Sequence, residues 1–460
     1  MIIKSSYCCA LAAATLALGI HSASAATVHV GTCHRAHVTY TTIQSAVDAA
    51  LDGDTVAICP GTYAEQISIT KNVSLKNVVH LSGPTITAHI VPPAGGLVAN
   101  TTMSDGTPTA AQILVSATAN VTGLDVDGTG NNNTSCNTLE MIGIYYKGGA
   151  GLIRRNVVRN QITPGHESCQ NGMGILVENA VVGTDSVTIE NNDVSNFDKN
   201  GIAMRLPGSI GTIAKNTVTG LGPTTFLAQN GILLRDSASA NINSNTVKDL
   251  VYSPDTFGSA GIILYNVSPL LYQSTPSIQR NVVDNTQFGI VLDGAGGVDG
   301  GNMLQISSNT VSNSLWDGIE LESDLTPTVN GDYINVFRNA VSNTTEYEGI
   351  DSCGDNNTIT RNTVTNSTNW GIHLDSLCEQ LNGDPSGYSN TVSNNTITTA
   401  CVGILSGPAD GQNSISGTHY TNVTKARVFG TDDYSCTTAH SPKHLNKFMG
   451  KSAKRLAVSP

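Results

Sequence analysis

Glu320 and Glu322 stand two residues apart in the segment Gly318-Ile319-Glu320-Leu321-Glu322. In an extended strand this puts both carboxylates on one face, roughly 6.6–7 Å apart. Similar segments supply more chemistry at the same positions. Gly349-Ile350-Asp351 and Gly371-Ile372-His373-Leu374-Asp375 add acids and an imidazole, and Gly289-Ile290-Val291-Leu292-Asp293 adds another acid. If such segments lie side by side, Asp293 neighbours Glu322 and Glu320 neighbours Asp351, at roughly 5 Å. Carboxyls that close do not all ionise cheaply, so one holds its proton near neutral pH. A protonated acid beside an ionised one is what glycosidic bond cleavage uses, the separation deciding between retention and inversion. On this reading Glu320 or Glu322 is the acid, Asp351 or Asp293 the base or nucleophile, and His373 their tuning partner.

Other side chains on the same positions suit a sugar polymer. Arg205 and Arg235 can clamp a sugar carboxylate, Asp375 extends the acidic row, and Tyr265, Tyr145, Trp316 and Trp370 are candidate sugar platforms. Hydrolysis needs no cofactor. A second chemistry is that of a uronate lyase or C5-epimerase, where a base removes the C5 proton while Ca2+ or a cationic side chain neutralises the carboxylate. Asp293, Glu322 and Asp351 are then calcium ligands, and Arg205 or Arg235 the proton abstractor. A third reading is non-catalytic: outward charges keep a long sheet soluble and free of edge association in a glycan-binding or surface-structural protein. The histidines show no metal-ligand spacing such as HExxH.

The elements that must position these groups are repeats. Nine times the chain runs Ile or Val, two residues, Asn, one residue, Val or Ile, as in Ile213…Asn216…Val218 and Ile278…Asn281…Val283. A Gly-Ile-x-Leu phrase usually follows, beginning at Gly143, Gly174, Gly201, Gly231, Gly261, Gly289, Gly318, Gly349, Gly371 and Gly403. Strand-like repeats this short cannot bury their own apolar side and must stack on their neighbours. The pattern predicts an all-β, single-stranded, right-handed parallel β-helix solenoid over residues 66–415, each coil giving two or three short strands. Ile and Val point inward. The Asn is expected at a left-handed turn position, stacked in an axial ladder. The Gly marks a bend, through a left-handed backbone or a close approach. Polar stretches at 92–110, 161–170, 221–229, 250–259, 323–332 and 379–389 read as protruding loops.

Residues 26–65 read as the cap that an open solenoid end requires. Thr41 or Thr42 can start a helix with Ile43, Val47 and Ala50 on one side. The run Tyr40-Thr41-Thr42-Ile43-Gln44-Ser45-Ala46-Val47-Asp48-Ala49-Ala50, then Gly53-Asp54-Thr55-Val56 and Pro60-Gly61-Thr62-Tyr63-Ala64-Glu65, resembles the opening of the pectin-lyase-like β-helix superfamily. That superfamily includes pectin methylesterases, alginate epimerase-like proteins and right-handed β-helix proteins that handle copper in the periplasm. The resemblance implies the fold over most of the chain. It carries no catalytic residues across, because the methylesterase Asp-Phe-Ile/Leu-Phe-Gly pattern, the polygalacturonase Asn-Thr-Asp and Arg-Ile-Lys runs and the epimerase Asp-Pro-His motif are absent.

Residues 1–25 read as a secretory signal, with Lys4, an apolar segment from Ala10 to Ile20 and the small-residue run Ala23-Ser24-Ala25. No later run is long and apolar enough to anchor the chain in a bilayer. The expectation is a secreted or periplasmic monomer, with 416–460 a C-terminal cap and basic tail. A net charge of −12 argues against a nucleic-acid partner, and the expected partner is a polysaccharide, since consecutive coils can supply consecutive subsites along a chain. Eight cysteines after the leader are read as local staples in an oxidising compartment: Cys33–Cys59, Cys136–Cys169, Cys353–Cys378 and Cys401–Cys436.

Overall fold

Each Ile-x-x-Asn-x-Val phrase folds as two short strands that meet at a turn ending in the Asn. Ile210–Ala214 ends at Lys215, whose φ is +56°, and Thr217–Thr224 begins just after Asn216. The Gly-Ile phrase supplies a third strand, Asn230–Arg235 in this coil. Repeated along the chain, the three strands build three parallel sheets wound into a β-helix. The first contains fifteen strands, and the other two form one hydrogen-bonded network through their turns. Among the described residues all pairings are parallel except the hairpin of Thr101–Thr102 with Pro108–Val115. The computed structural model describes residues 25–33, 38–78, 87–136, 138–165, 168–183, 186–253, 258–322, 331–377 and 386–436. The expected leader up to residue 24, the tail beyond 436, His34, His37 and Cys378 lie outside these.

The core is the predicted one: Ile202, Ile232, Ile262, Ile290, Ile319 and Ile350 stack inward, as do Val194, Val218, Val247 and Val283, all fully buried. The turn differs from expectation. The left-handed residue is the one before each Asn: Arg155, Asn191, Lys215, Ser244, Arg280, Ser308, Arg338, Arg361 and Asn394. That frees the Asn side chain to turn inward. Asn156, Asn192, Asn216, Asn245, Asn281, Asn309, Asn339, Asn362 and Asn395 are each at most 2% exposed. Asn281 donates through Nδ2 to Asn309 Oδ1 at 3.0 Å and to Ile242 O at 3.0 Å, and its Oδ1 accepts from Asn245 N and Nδ2, both at 2.9 Å. One amide thus saturates three successive coils. Ladder partners lie between 23 and 36 residues apart in sequence, with the same contacts throughout.

The repeated glycines act by close approach. A Cβ at Gly231 would come within 2.4 Å of Val247 Cγ1 and 2.5 Å of Gly261 O, and the column glycines from Gly143 to Gly349 meet a valine methyl and the next glycine's carbonyl in the same way. Residues 221–224 and 250–252 are strand rather than loop: Gly222, Pro223 and Thr224 pair with Leu250, Val251 and Tyr252 beyond a register shift. Stacking also starts ahead of residue 66, since Thr27–Val30 pairs with Thr55–Ile58.

The helix Ile43–Ala49 covers the open end, burying Ile43, Ala46 and Val47, with Thr42 as N-cap. Glu65 closes the Pro-Gly-Thr-Tyr motif and accepts from Ile43 N at 2.8 Å and Gln44 N at 2.9 Å, where the helix dipole is positive. Lys71 donates to Asp48 O and Ala50 O at the other end. Disulfides join Cys33–Cys59, Cys136–Cys169 and Cys401–Cys436 as expected, and Cys353 is also disulfide-bonded. These bonds are consistent with an extracytoplasmic location. No helix among the described residues is long and apolar enough to cross a membrane.

The two turn positions predict opposite responses. N281A removes four buried hydrogen bonds and should cost roughly 3–5 kcal/mol, whereas S308N, at a left-handed position, should be neutral or slightly stabilising. Urea unfolding followed by circular dichroism measures both, and equal losses would refute the assignment of roles.

Candidate active site

The third sheet carries the residues singled out by sequence, and their register is the expected one. The fifth positions run Lys147, Glu178, Arg205, Arg235, Tyr265, Asp293, Glu322, each paired with the next across neighbouring strands. The third positions run Tyr145, Leu176, Ala203, Leu233, Ile263, Val291, Glu320, Asp351, His373, Leu405 in the same way.

Burial separates the two columns. Every third-position residue is at most 2% exposed, Glu320, Asp351 and His373 included. Their side chains point away from the solenoid core yet are covered. Along the early coils the cover is apolar, where Met103, Phe288 and Trp316 pack with Ile142, Tyr145, Leu233 and Ile263. The expectation that Glu320, Asp351 and His373 line an open wall is therefore corrected, since a polymer cannot reach them. Asp375 is also sealed, at 1% exposure. Trp370 is buried against His373, centroids 4.5 Å apart, and its indole N–H donates to Tyr434 O at 3.1 Å. Trp316 sits edge-on between Phe288 and Tyr347. Neither tryptophan presents a face to a sugar, and Tyr145 is fully buried. Arg235, Tyr265, Asp293 and Glu322 remain partly exposed.

The sealed acids form one centre. His373 Nδ1 is 3.3 Å from Asp351 Oδ1 and 4.0 Å from Asp375 Oδ2, and Nε2 is 3.4 Å from Asp432 Oδ1. Burial alone would lower the His373 pKa, but Asp375, Asp351 and Asp432 outweigh it and raise it well above the ordinary value. Burial pushes Asp375 up to about 7. Among the described residues two groups have donor atoms close enough to hold a metal ion, Asp351 with His373 and Asp375, and Asp317 with Glu348 and Asp351. Of the calcium ligands expected from sequence, Asp351 belongs to both groups, and Asp293 and Glu322 to neither.

A second charged centre lies on the early coils. Glu178 accepts from the Tyr145 hydroxyl and from Ser104 N and Oγ, and pairs with Arg205 at 3.3 Å. Arg205 also faces Asp105 at 3.5 Å and Asp236 at 3.9 Å, while Arg235 meets Asp236 at 3.2 Å and lies over the Tyr265 ring. Burial and Glu178 raise the Tyr145 pKa so far that the phenol stays a donor. Glu140 sits within this field, with a pKa of about 8. Burial is the main cause, Asp105 adds to it, and Lys199 and Arg205 oppose it. Burial lowers Lys199 to about 7 and raises Asp198 to about 7.

Sequence reading missed Glu140, Glu178 as a partner of Arg205, Lys199, Asp317, Glu348 and Asp432. Asp317, Glu348 and Lys199 lie one or two residues before a column glycine, outside the positions that were compared. Asp432 comes from beyond the last repeat, where no periodicity leads to it.

Comparison with known proteins agrees with the fold. The family model described as right handed beta helix region matches residues 122–299. The chain is a right-handed parallel β-helix. No curated protein matches the sequence significantly. Among solved structures, the catalytic domain of a GH87 α-1,3-glucanase, in complex with tetrasaccharides, aligns at a TM-score of 0.50 and 14% identity, over 88% of this β-helix and 66% of that chain. The A-module of the Azotobacter vinelandii mannuronan C-5 epimerase AlgE4 gives 0.49 and 14%, over 86% and 94%. XylC in complex with xylose gives 0.48 and 12%, over 85% and 86%. At these identities the likeness is one of fold.

Glu140 offers a test of the second centre. Its pKa rises from 4.5 to about 8 on folding, so between those values the folded state holds more proton than the unfolded one and stability falls as pH rises. E140Q has no proton to lose. Its thermal midpoint relative to the wild type should climb as pH goes from 5 to 8, and a constant difference would contradict the assigned environment.

Proposed function

We propose that this β-helix acts on an acidic polysaccharide laid along the third sheet, by moving the proton on the carbon beside a uronate carboxylate. The observation that carries this reading is the position of Arg205 and Arg235 on adjacent rungs, with Arg205 acting on Glu140, a carboxyl raised to about 8, and Arg235 acting on its neighbour Lys199. Support also comes from what is lost to the rival chemistry, since Glu320, Asp351 and His373 are sealed. Consecutive rungs, about 4.8 Å apart, give a sugar chain consecutive subsites, with Tyr265 next to Arg235 as an apolar surface.

In this mechanism Arg235, with Arg205 behind it, neutralises the uronate carboxylate and makes C5–H more acidic. Glu140 as carboxylate takes the proton, and the electron pair of the broken bond moves into the carboxyl group. Lys199 is a positioning residue, because its charge acts on Glu140 and does not need to touch the sugar. When the proton taken by Glu140 passes to O4 as the C4–O4 bond breaks, the product is the unsaturated uronate of a lyase. When water protonates C5 from the opposite face instead, and Glu140 gives its proton to solvent, the result is that of an epimerase. Calcium is not needed for the neutralising role while the arginines fill it.

One observation favours the hydrolytic alternative at a shifted place. Asp293 and Glu322 are register partners on neighbouring strands and are partly exposed, and a strand spacing of about 4.8 Å is of the order of the carboxyl separation that retaining glycosidases use. A panel of uronate and neutral polysaccharides separates the readings. Ultraviolet absorbance of an unsaturated uronate, or an altered uronate composition by proton NMR, supports proton transfer. E140Q and R235A should then lower turnover by about 100-fold or more, with D293N and E322Q near wild type. New reducing ends without ultraviolet absorbance, lost in D293N or E322Q, would reassign the chain as a hydrolase. Binding without any product would make it a glycan-binding protein.

A further inference from the structure

We infer that Asp351, His373 and Asp375 form a divalent-cation site inside the covered wall of the solenoid, suited to Zn2+ or Mn2+ with His373 bound through Nδ1. The site is separate from the proposed catalytic centre and does not depend on it. Donor atoms of the three residues all lie within 4.8 Å of one another. Nδ1 stands 3.3 Å from Asp351 Oδ1 and 4.0 Å from Asp375 Oδ2. Donors sharing a tetrahedral metal at about 2.1 Å stand about 3.4 Å apart, close to the Nδ1–Asp351 separation, so an ion can replace the proton between them with little movement.

Two further observations point to a ligand. Asp375 is 1% exposed, and its Oδ1 accepts from Leu377 N at 2.7 Å, while Oδ2, on the His373 side, accepts no hydrogen bond. A buried carboxylate oxygen left so is costly. The imidazole is also oriented from behind. Its Nε2 faces Asp432, which is held by Ser376 N at 2.9 Å and Ser376 Oγ at 2.6 Å. A carboxylate behind a histidine is the usual support of a metal-bound ring, since it fixes the tautomer that leaves the other nitrogen free to bind. The nitrogen donor and mixed set favour Zn2+ or Mn2+ over Ca2+, which takes oxygen ligands in larger number. At this depth the ion would be a clamp. It would join strands Ile350–Ser352 and Trp370–Leu374 and, through Asp432, the segment after the last strand.

The test uses the full chain purified without added metal. Elemental analysis should find about one Zn2+ or Mn2+ per chain. Chelation should lower the thermal midpoint by several degrees, and stoichiometric Zn2+ or Mn2+ should restore it. D375N and H373Q should lose the ion, and D432N should keep it with about 10–100-fold weaker affinity. If a variant fails to fold, chelation and re-addition on the wild type decide. Absence of any metal with no response to added ions would overturn the site. So would restoration by Ca2+ alone, which would shift binding to the all-oxygen group of Asp317, Glu348 and Asp351.

Discussion

Stacked asparagine amides hold the rungs in register, and every other feature of the molecule inherits that register. A parallel sheet leaves its turns with polar groups that need partners in the interior. Here one side chain per coil answers that need, donating to the coils on both sides and accepting from one of them. The left-handed residue before it makes this possible, because it turns the chain sharply from one sheet to the next and lets the amide face inward. The glycine column and the inward valines are then forced, since backbone and methyl groups approach to distances that exclude a Cβ.

Fixed register turns a one-dimensional list of residues into a two-dimensional surface. Side chains some thirty residues apart in sequence become neighbours, so a column of the third sheet behaves like a strip on which charges are ordered. Along the fifth positions the order is basic, aromatic, then acidic, from Arg205 and Arg235 through Tyr265 to Asp293 and Glu322. A polymer lying on such a strip meets a different partner at each sugar, and the strip therefore has a direction.

The sequence made the columns legible and left their burial hidden. Alternation in Gly-Ile-x-Leu decides which side chains leave the core, and the pairing of Asp293 with Glu322 and of Glu320 with Asp351 followed from it. Whether a departing side chain meets solvent depends on segments without periodicity. The hairpin around Thr101–Thr102, which contacts Lys147 and Glu178, and the region of Asp432, which contacts His373, belong to that class, so the cover over the third positions has no sequence period to announce it. One signal was available: Leu176, Leu233, Ile263 and Val291 form an outward apolar stripe, and a stripe that long calls for a cover. The left-handed residue was displaced by one position because Asn suits both a left-handed turn and a ladder, and composition cannot separate those uses. Lys215, Arg280 and Arg338 have no such preference for positive φ and are held there by their surroundings.

Unequal coil lengths have a mechanical meaning. Successive ladder partners lie 23 to 36 residues apart although the contacts between them are alike. Under tension applied to its two ends, such a rod would yield coil by coil at similar forces while releasing unequal lengths of slack. At roughly 3.3–3.6 Å per residue, the increments would range from about 8 to about 13 nm, a sequence of step sizes that identifies which coil has opened.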